Sequence, residues 1–252
     1  MTTPVVLLHG LIGHLQPWAQ ALTAAGRPCL APELRGYGSQ ADVPPGTVTL
    51  PTQVDDLALW VKAQWGDAPF DVVGHSVGGV LAMLLALRLP HQVRRVVSVE
   101  GNFSLQDAFW SARLGTMPLH EVSATLDSLR ADPVAWLARS GVVANPESLA
   151  LAQDWLAFQP ASTLQAMGQS IVAVTGQAAY LDGVRTVFAQ QTVSLVAGER
   201  SRPAWDVPAW AHEAAAAEVV LPGCGHLMML EAPQAFVDTL IALLPVDLRN
   251  GF

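Results

Sequence analysis

The run from Phe70 to Leu89 constrains this chain more than any other. It opens with Phe70-Asp71-Val72-Val73, turns through Gly74-His75-Ser76-Val77-Gly78-Gly79, and continues as a helix-forming stretch, Val80–Leu89. The turn fits G-x-S-x-G in the strand–turn–helix setting that gives the pattern its meaning. A serine on so tight a turn is strained, and flanking glycines remove side chains that would collide with the adjoining strand and helix. Its hydroxyl is held above the sheet edge, near the positive end of the helix that follows. Ser76 is the candidate nucleophile.

The remaining chain supplies a sheet for this turn to sit on. Short apolar runs at Val5–Leu8, Pro28–Ala31, Val96–Val99, Val193–Val196 and Glu218–Leu221 each lead into a turn signal. Rich in β-branched residues and without strict alternation, they suit strands buried on both faces of a parallel sheet. Helical stretches fill most intervals, at Trp18–Ala25, Leu50–Trp65, Gly78–Leu89 and Pro233–Leu244. The alternation predicts an α/β fold, with a mainly parallel sheet of about six strands and helices on both faces. One interval breaks the rhythm. Residues 102–190 show no clear strand, and Leu, Ala and Trp recur there at helical spacing. That interval reads as an inserted helical cap, leaving residues 1–101 and 191–252 as the core. Trp110, Trp136, Trp155 and Phe158 fall inside it, where such aromatics ordinarily pack a small domain's interior.

Composition narrows the function classes. Of 252 residues, 51% are hydrophobic and 13% charged, against roughly 25% charged in an average domain. A large core is affordable, and greasy surface is left over for a pocket or a homodimer face. The net charge of −8, with 13 Lys and Arg spread along the chain, gives no basic footprint for nucleic acid. The longest apolar stretch, Val77 to Leu87, contains two glycines and falls short of the ~20 residues of a membrane span. No secretory pattern follows Met1-Thr2-Thr3-Pro4. Cys29 and Cys224 show neither a disulfide framework nor metal-ligand spacing. The expectation is a cytoplasmic protein without membrane or nucleic-acid partners, needing no metal and no cofactor.

An acyl-transfer serine needs a base. Among seven histidines His226 stands out, because Pro222-Gly223-Cys224-Gly225-His226 follows the last strand and precedes the last helix. That places it on the same sheet edge as Ser76. His75 points into the packing of the turn, His9 belongs to the loop after the first strand, and His14 could border the pocket. His91, His120 and His212 lack a strand-end setting. The oxyanion of an acyl-transfer intermediate wants two backbone donors. Val77 N–H is one, and Leu11 N–H, from His9-Gly10-Leu11, is the candidate for the other.

These residues together resemble the α/β-hydrolase superfamily, and the resemblance covers nearly the whole chain. Beyond the serine turn it rests on Leu7-Leu8-His9-Gly10, on Pro32-Glu33-Leu34-Arg35-Gly36-Tyr37-Gly38, and on Gly225-His226 with Glu231-Ala232-Pro233-Gln234-Ala235-Phe236. It implies the superfamily fold, a serine–acid–histidine order along the chain, and no cofactor. The chain opens at the strand usually counted as third, which resembles the compact plant-esterase and hydroxynitrile-lyase type. One position departs from the pattern. After the next-to-last strand the family usually reads Gly-x-x-Asp, whereas this chain reads Gly198-Glu199-Arg200-Ser201. A serine cannot stabilise an imidazolium as a carboxylate does. Glu100, Glu199 and Asp206 could each substitute. Glu100 is favoured: it ends the strand after the serine helix, and zearalenone-lactonase-like enzymes resemble this chain in carrying a Glu there. A carboxylate buried at the end of an apolar strand is also costly without a partner, and His226 would be one.

The implied substrate is a small, hydrophobic, uncharged carboxylic ester or lactone, cleaved through an acyl-enzyme. Arg113, Arg130, Arg139 and Arg185 are scattered through the cap and form no evident anion cluster. Resemblance to the lactonase-like enzymes makes Trp155 the first substrate-binding candidate. A carbon–carbon bond hydrolase or a cofactor-free lyase could use the same three residues. His9-Gly10-Leu11-Ile12-Gly13 with Trp18 also resembles menaquinone-pathway lyases, whose anionic substrates would want arginines in the pocket. Haloalkane dehalogenases and epoxide hydrolases carry Asp where Ser76 stands. A non-catalytic ligand receptor on the same fold is the rival from another class.

Overall fold

A computed structural model describes residues 2–245. Six strands form one parallel sheet: β1 (Val5–Leu8), β2 (Cys29–Leu30), β3 (Phe70–His75), β4 (Val93–Val99), β5 (Thr192–Gly198) and β6 (Ala217–Leu221). Their spatial order is β2-β1-β3-β4-β5-β6. Every residue of β1 and β3 is buried, as befits central strands covered on both faces.

Seven helices precede or span the first part of the chain: α1 (Gln16–Ala24), α2 (Leu50–Trp65), α3 (Val77–Arg88), α4 (Phe109–Thr116), α5 (Leu119–Ala131), α6 (Pro133–Arg139) and α7 (Pro146–Ala157). They are followed by α8 (Ala161–Thr175), α9 (Ala178–Gln190), α10 (Ala209–Ala214), α11 (Met228–Glu231) and α12 (Pro233–Leu243). Helix α3 carries a Val-Gly-Gly-Val-Leu-Ala-Met-Leu-Leu-Ala run with almost no polar face, and it packs between the sheet, α2 and α9. Several starts have identifiable causes. Thr49 accepts the Thr52 amide ahead of α2, and Asn145 with Ser148 forms a reciprocal capping box ahead of α7.

Helices α4 to α9 all lie between β4 and β5, in the interval read as an insertion. Helix α8 packs on α4 and α5, while α9 returns to α3 and β5. Of the residues assigned to the core, residue 1 and residues 246–252 lie outside the described residues. No described helix is long and apolar enough to cross a membrane.

The topology places the functional edge. The chain leaves β1 for β2 on one side, then crosses back to β3 on the other. The carboxyl ends of β1 and β3 therefore flank the point where the strand order reverses, the place where open α/β sheets leave a crevice. His9-Gly10-Leu11 continues from β1 and Ser76 follows β3.

Candidate active site

Ser76 sits between β3 and α3 with φ 54° and ψ −122°. Its amide donates to Val99 O at 2.9 Å, tying the turn to β4. The glycines make this turn possible. A Cβ on Gly74 would lie 2.1 Å from Gly78 O, and one on Gly78 would lie 2.2 Å from Leu8 O. Both obstacles are backbone, so neither can swing aside. Helix α3 begins at Val77, immediately after the serine. Leu11 and Val77 line the same cavity as Ser76. Among the described residues neither of their amides donates a hydrogen bond.

Glu100 directly follows β4 and lies in the left-handed region, at φ 44°. Its side chain is buried, only 5% exposed. Oε2 lies 2.6 Å from His226 Nδ1. Oε1 accepts the Gly198 amide at 2.8 Å and the Ser201 hydroxyl. Burial alone would raise this carboxyl, but the bond and charge of His226, then Ser201 and Gly198, hold it below its ordinary value. Glu100 is thus an ionised acceptor. A carboxylate on Nδ1 selects the tautomer whose Nε2 lone pair is free to act as a base.

His226 rides on a short loop between β6 and α11. Gly225 N–H donates to Glu231 Oε1 at 2.7 Å, and Arg200 bonds Glu231 Oε2 at 2.6 Å as well as Gly223 O and Gly141 O. From below, the His75 ring lies 4.6 Å from that of His226, and its Nε2–H donates to His226 O at 3.0 Å. Burial, then the neighbouring His226, pushes His75 well below the usual histidine range, so it stays neutral. The His226 ring itself remains 45% exposed toward the cavity. No hydrogen bond joins it to the Ser76 hydroxyl among the described residues. Such bonds are often long before substrate arrives.

The cavity over these groups holds about 540 Å³. Phe109, Trp110, Trp136, Trp155 and Trp205 give it aromatic walls, with Ser201, Asp107 and Arg139 among the polar ones. Trp155 is 2% exposed and its Nε1 has no partner. The other carboxylates weighed from the sequence are engaged elsewhere. Glu199 accepts the Gly223 amide at 2.7 Å, and Asp206 accepts the Ser104 hydroxyl. His14 does not border the cavity. Its Nε2 lies 2.6 Å from Asp154, because the loop turns the ring toward α7. Of the four arginines, Arg139 does line the cavity, whereas Arg130 bonds Leu156 O and Gln159 O, and Arg185 lies over the Trp210 ring. Trp205, Phe109 and Asp107 were not singled out from the sequence. Trp205 carried the one available signal, a large aromatic just beyond the end of a core strand.

A model of the alpha/beta hydrolase family matches residues 5–239. The chain belongs to that family. This alpha/beta hydrolase is 37% identical over 97 residues to Lipase LipV of Mycobacterium tuberculosis, 38% of this chain and 36% of that one. It is 32% identical over 131 residues to the sn-1-specific diacylglycerol lipase ABHD11 of Mus musculus, 50% of this chain and 38% of that one. The matched segments thus span little more than a third of either relative's length. A solved carboxylesterase from Nitrososphaera gargenis superposes with a TM-score of 0.75 at 21% identity, covering 96% of this chain and 90% of the other. That likeness concerns the fold.

Proposed function

We propose that this alpha/beta hydrolase cleaves a hydrophobic, uncharged carboxylic ester or lactone through Ser76, His226 and Glu100. The observation that carries the reading is the 2.6 Å bond from His226 to the buried Glu100 carboxylate, on the cavity that Ser76 lines. His226 Nε2 takes the Ser76 proton as Oγ attacks the carbonyl carbon. The negative charge that develops on the carbonyl oxygen is met by the Leu11 and Val77 amides, each worth a few kcal/mol in such a site. Collapse breaks the bond to the alkoxy oxygen, which leaves with the proton from His226 and deposits the acyl group on Ser76. Water then attacks that ester, giving its proton to His226, and collapse returns the proton to Ser76 and frees the acid. Glu100 keeps Nδ1–H in place and offsets the imidazolium that forms in both halves.

Aromatic walls and a volume of about 540 Å³ support an apolar acyl or alcohol group of modest size. The lipases among the relatives support an ester. Residues 102–190 supply much of the roof over the pocket, and Trp155 is the substrate contact within it. Arg139 on the wall favours a second reading, a substrate with an anionic far end, as carbon–carbon bond hydrolysis of keto acids would use.

The deciding experiment is a panel of p-nitrophenyl esters, p-nitrophenyl hemisuccinate and lactones, assayed with Ser76→Ala as control. The expected result is turnover of neutral esters or lactones and a loss on the order of 10⁶-fold in the variant. Equal hydrolysis by Ser76→Ala would refute the reading. A preference for the hemisuccinate that Arg139→Ala abolishes would establish the second one.

A further inference from the structure

The two oxygens of the Glu100 carboxylate have separate partners. Oε2 takes His226 Nδ1–H, and Oε1 takes the Gly198 amide together with the Ser201 hydroxyl. The terminal torsion of a glutamate is soft and roughly two-fold. A single donor on Oε1 would leave the carboxylate free to rock about that bond and lengthen its reach to His226. A second donor on the same oxygen removes much of that freedom. Ser201 is itself well placed to be one of them. It follows Arg200, whose amide donates to Cys224 O at 2.9 Å and whose guanidinium bonds Glu231 and the carbonyls of Gly223 and Gly141. The hydroxyl is therefore carried by a segment fastened to the loop that holds His226, while its acceptor sits at the end of β4.

We propose that Ser201 is a positioning residue, whose hydroxyl fixes the Glu100 carboxylate so that Oε2 stays on His226. The inference rests on the Ser76–His226–Glu100 reading. It assigns a task to the serine that stands where the family's usual pattern has an aspartate. That serine is not the acid but the donor that orients it.

The test compares Ser201→Ala and Ser201→Thr with the parent, using p-nitrophenyl butyrate for kinetics and proton NMR for the low-field His226 Nδ1–H resonance. Ser201→Ala is expected to lower kcat about 10-fold, the scale of one hydrogen bond to a charged group, with KM unchanged. The low-field resonance should broaden or move upfield. Ser201→Thr should restore both. Parent-like kcat and resonance in Ser201→Ala would overturn the inference, as would a change confined to KM, which would make Ser201 a substrate contact. Should Ser201→Ala fail to fold, Ser201→Cys keeps the volume with a weaker donor and is read in the same way. Ser76→Ala and Glu100→Ala run alongside separate the two ideas. Activity retained in those variants removes the triad, and the NMR arm still reports on Ser201. Activity lost in them but kept in Ser201→Ala removes only the positioning role.

Discussion

Glu100 combines two unfavourable features that ordinary strand ends avoid. A left-handed conformation at a residue with a Cβ costs about 1–3 kcal/mol, and a buried carboxylate is costly unless fully bonded. Ser76 accepts the same backbone strain, and the two residues end neighbouring strands, tied by Ser76 N to Val99 O and Glu100 N to Val196 O. In both cases the reversal of φ takes the residue out of the strand's pleat just where the strand stops. Three hydrogen bonds then satisfy the Glu100 carboxylate. Replacing Glu100 by alanine is expected to lower kcat about 10⁴-fold with an unchanged far-ultraviolet circular dichroism spectrum. Glu199→Ala should stay within about 2-fold, because Glu199 serves the Gly223 amide and not the histidine. Similar losses in the two variants would remove Glu100 from its role. The placement of Ser76 and His226 at one sheet edge could be read from the chain because each is marked by its immediate neighbours: glycines around the serine, a strand-end glycine before the histidine. The bond from Ser201 to Glu100 could not, since the two lie 101 residues apart and only the fold joins them.

The helical interval between β4 and β5 does more than line the pocket, because its helix α7 also supports the loop that carries Leu11. Gly13 N–H donates to Gln159 Oε1 at 3.0 Å, just past the end of α7, and Gln159 Nε2–H donates back to Trp155 O. His14 meets Asp154 on the same helix at 2.6 Å. From the core side, Tyr37 O–H donates to Leu11 O at 3.0 Å. Gly13 has φ +87°, and a Cβ there would lie 2.3 Å from the Trp155 ring, which is itself fully packed. Gly13→Ala must therefore move either the loop or α7. The expected cost is about 2–3 kcal/mol, a fall in Tm on the order of 5–10 °C, together with a lower kcat as the Leu11 amide shifts. A variant with parent Tm and kcat would show that α7 does not hold this loop. The helical character of the interval was visible in its spacing, but the contact of its helix with the loop was not. His14 illustrates why: a loop residue's direction is set by whichever element packs against it, here α7 and not the cavity.

At the scale of the whole molecule, the strands were the easiest elements to find, because a parallel sheet covered on both faces leaves unbroken apolar runs such as Val5–Leu8. The same covering buries two histidines at the functional edge, His9 and His75, which are 2% and 4% exposed. His9 is lowered to about 4, chiefly by burial and further by His14, against the Gly10 bond and Glu33, which raise it. Since its unfolded value is about 6.5, the unfolded chain takes up a proton below that pH which the native state refuses until about pH 4. Native stability therefore falls as the pH drops through this window, and the cost is complete near its lower end. His75, also lowered by burial, acts in the same direction. Glu100 does not contribute here. Its carboxyl is lowered on folding, so the stability it adds is kept above the ordinary carboxylate value and lost only as pH falls through its depressed folded value. Urea unfolding at pH 8 and pH 5 reads the histidines together with Asp107, whose carboxyl is raised by burial and acts in the opposite direction, so the variant comparison is needed to single out His9. His9 alone is expected to lower the unfolding free energy at pH 5 by about 2 kcal/mol. In His9→Asn the absolute stability changes at both pH values, so the informative quantity is the difference between them, which should shrink by about 2 kcal/mol. A difference that is the same in parent and variant would mean that His9 takes its proton in the folded state, and that the first strand's loop is wetter than its packing implies.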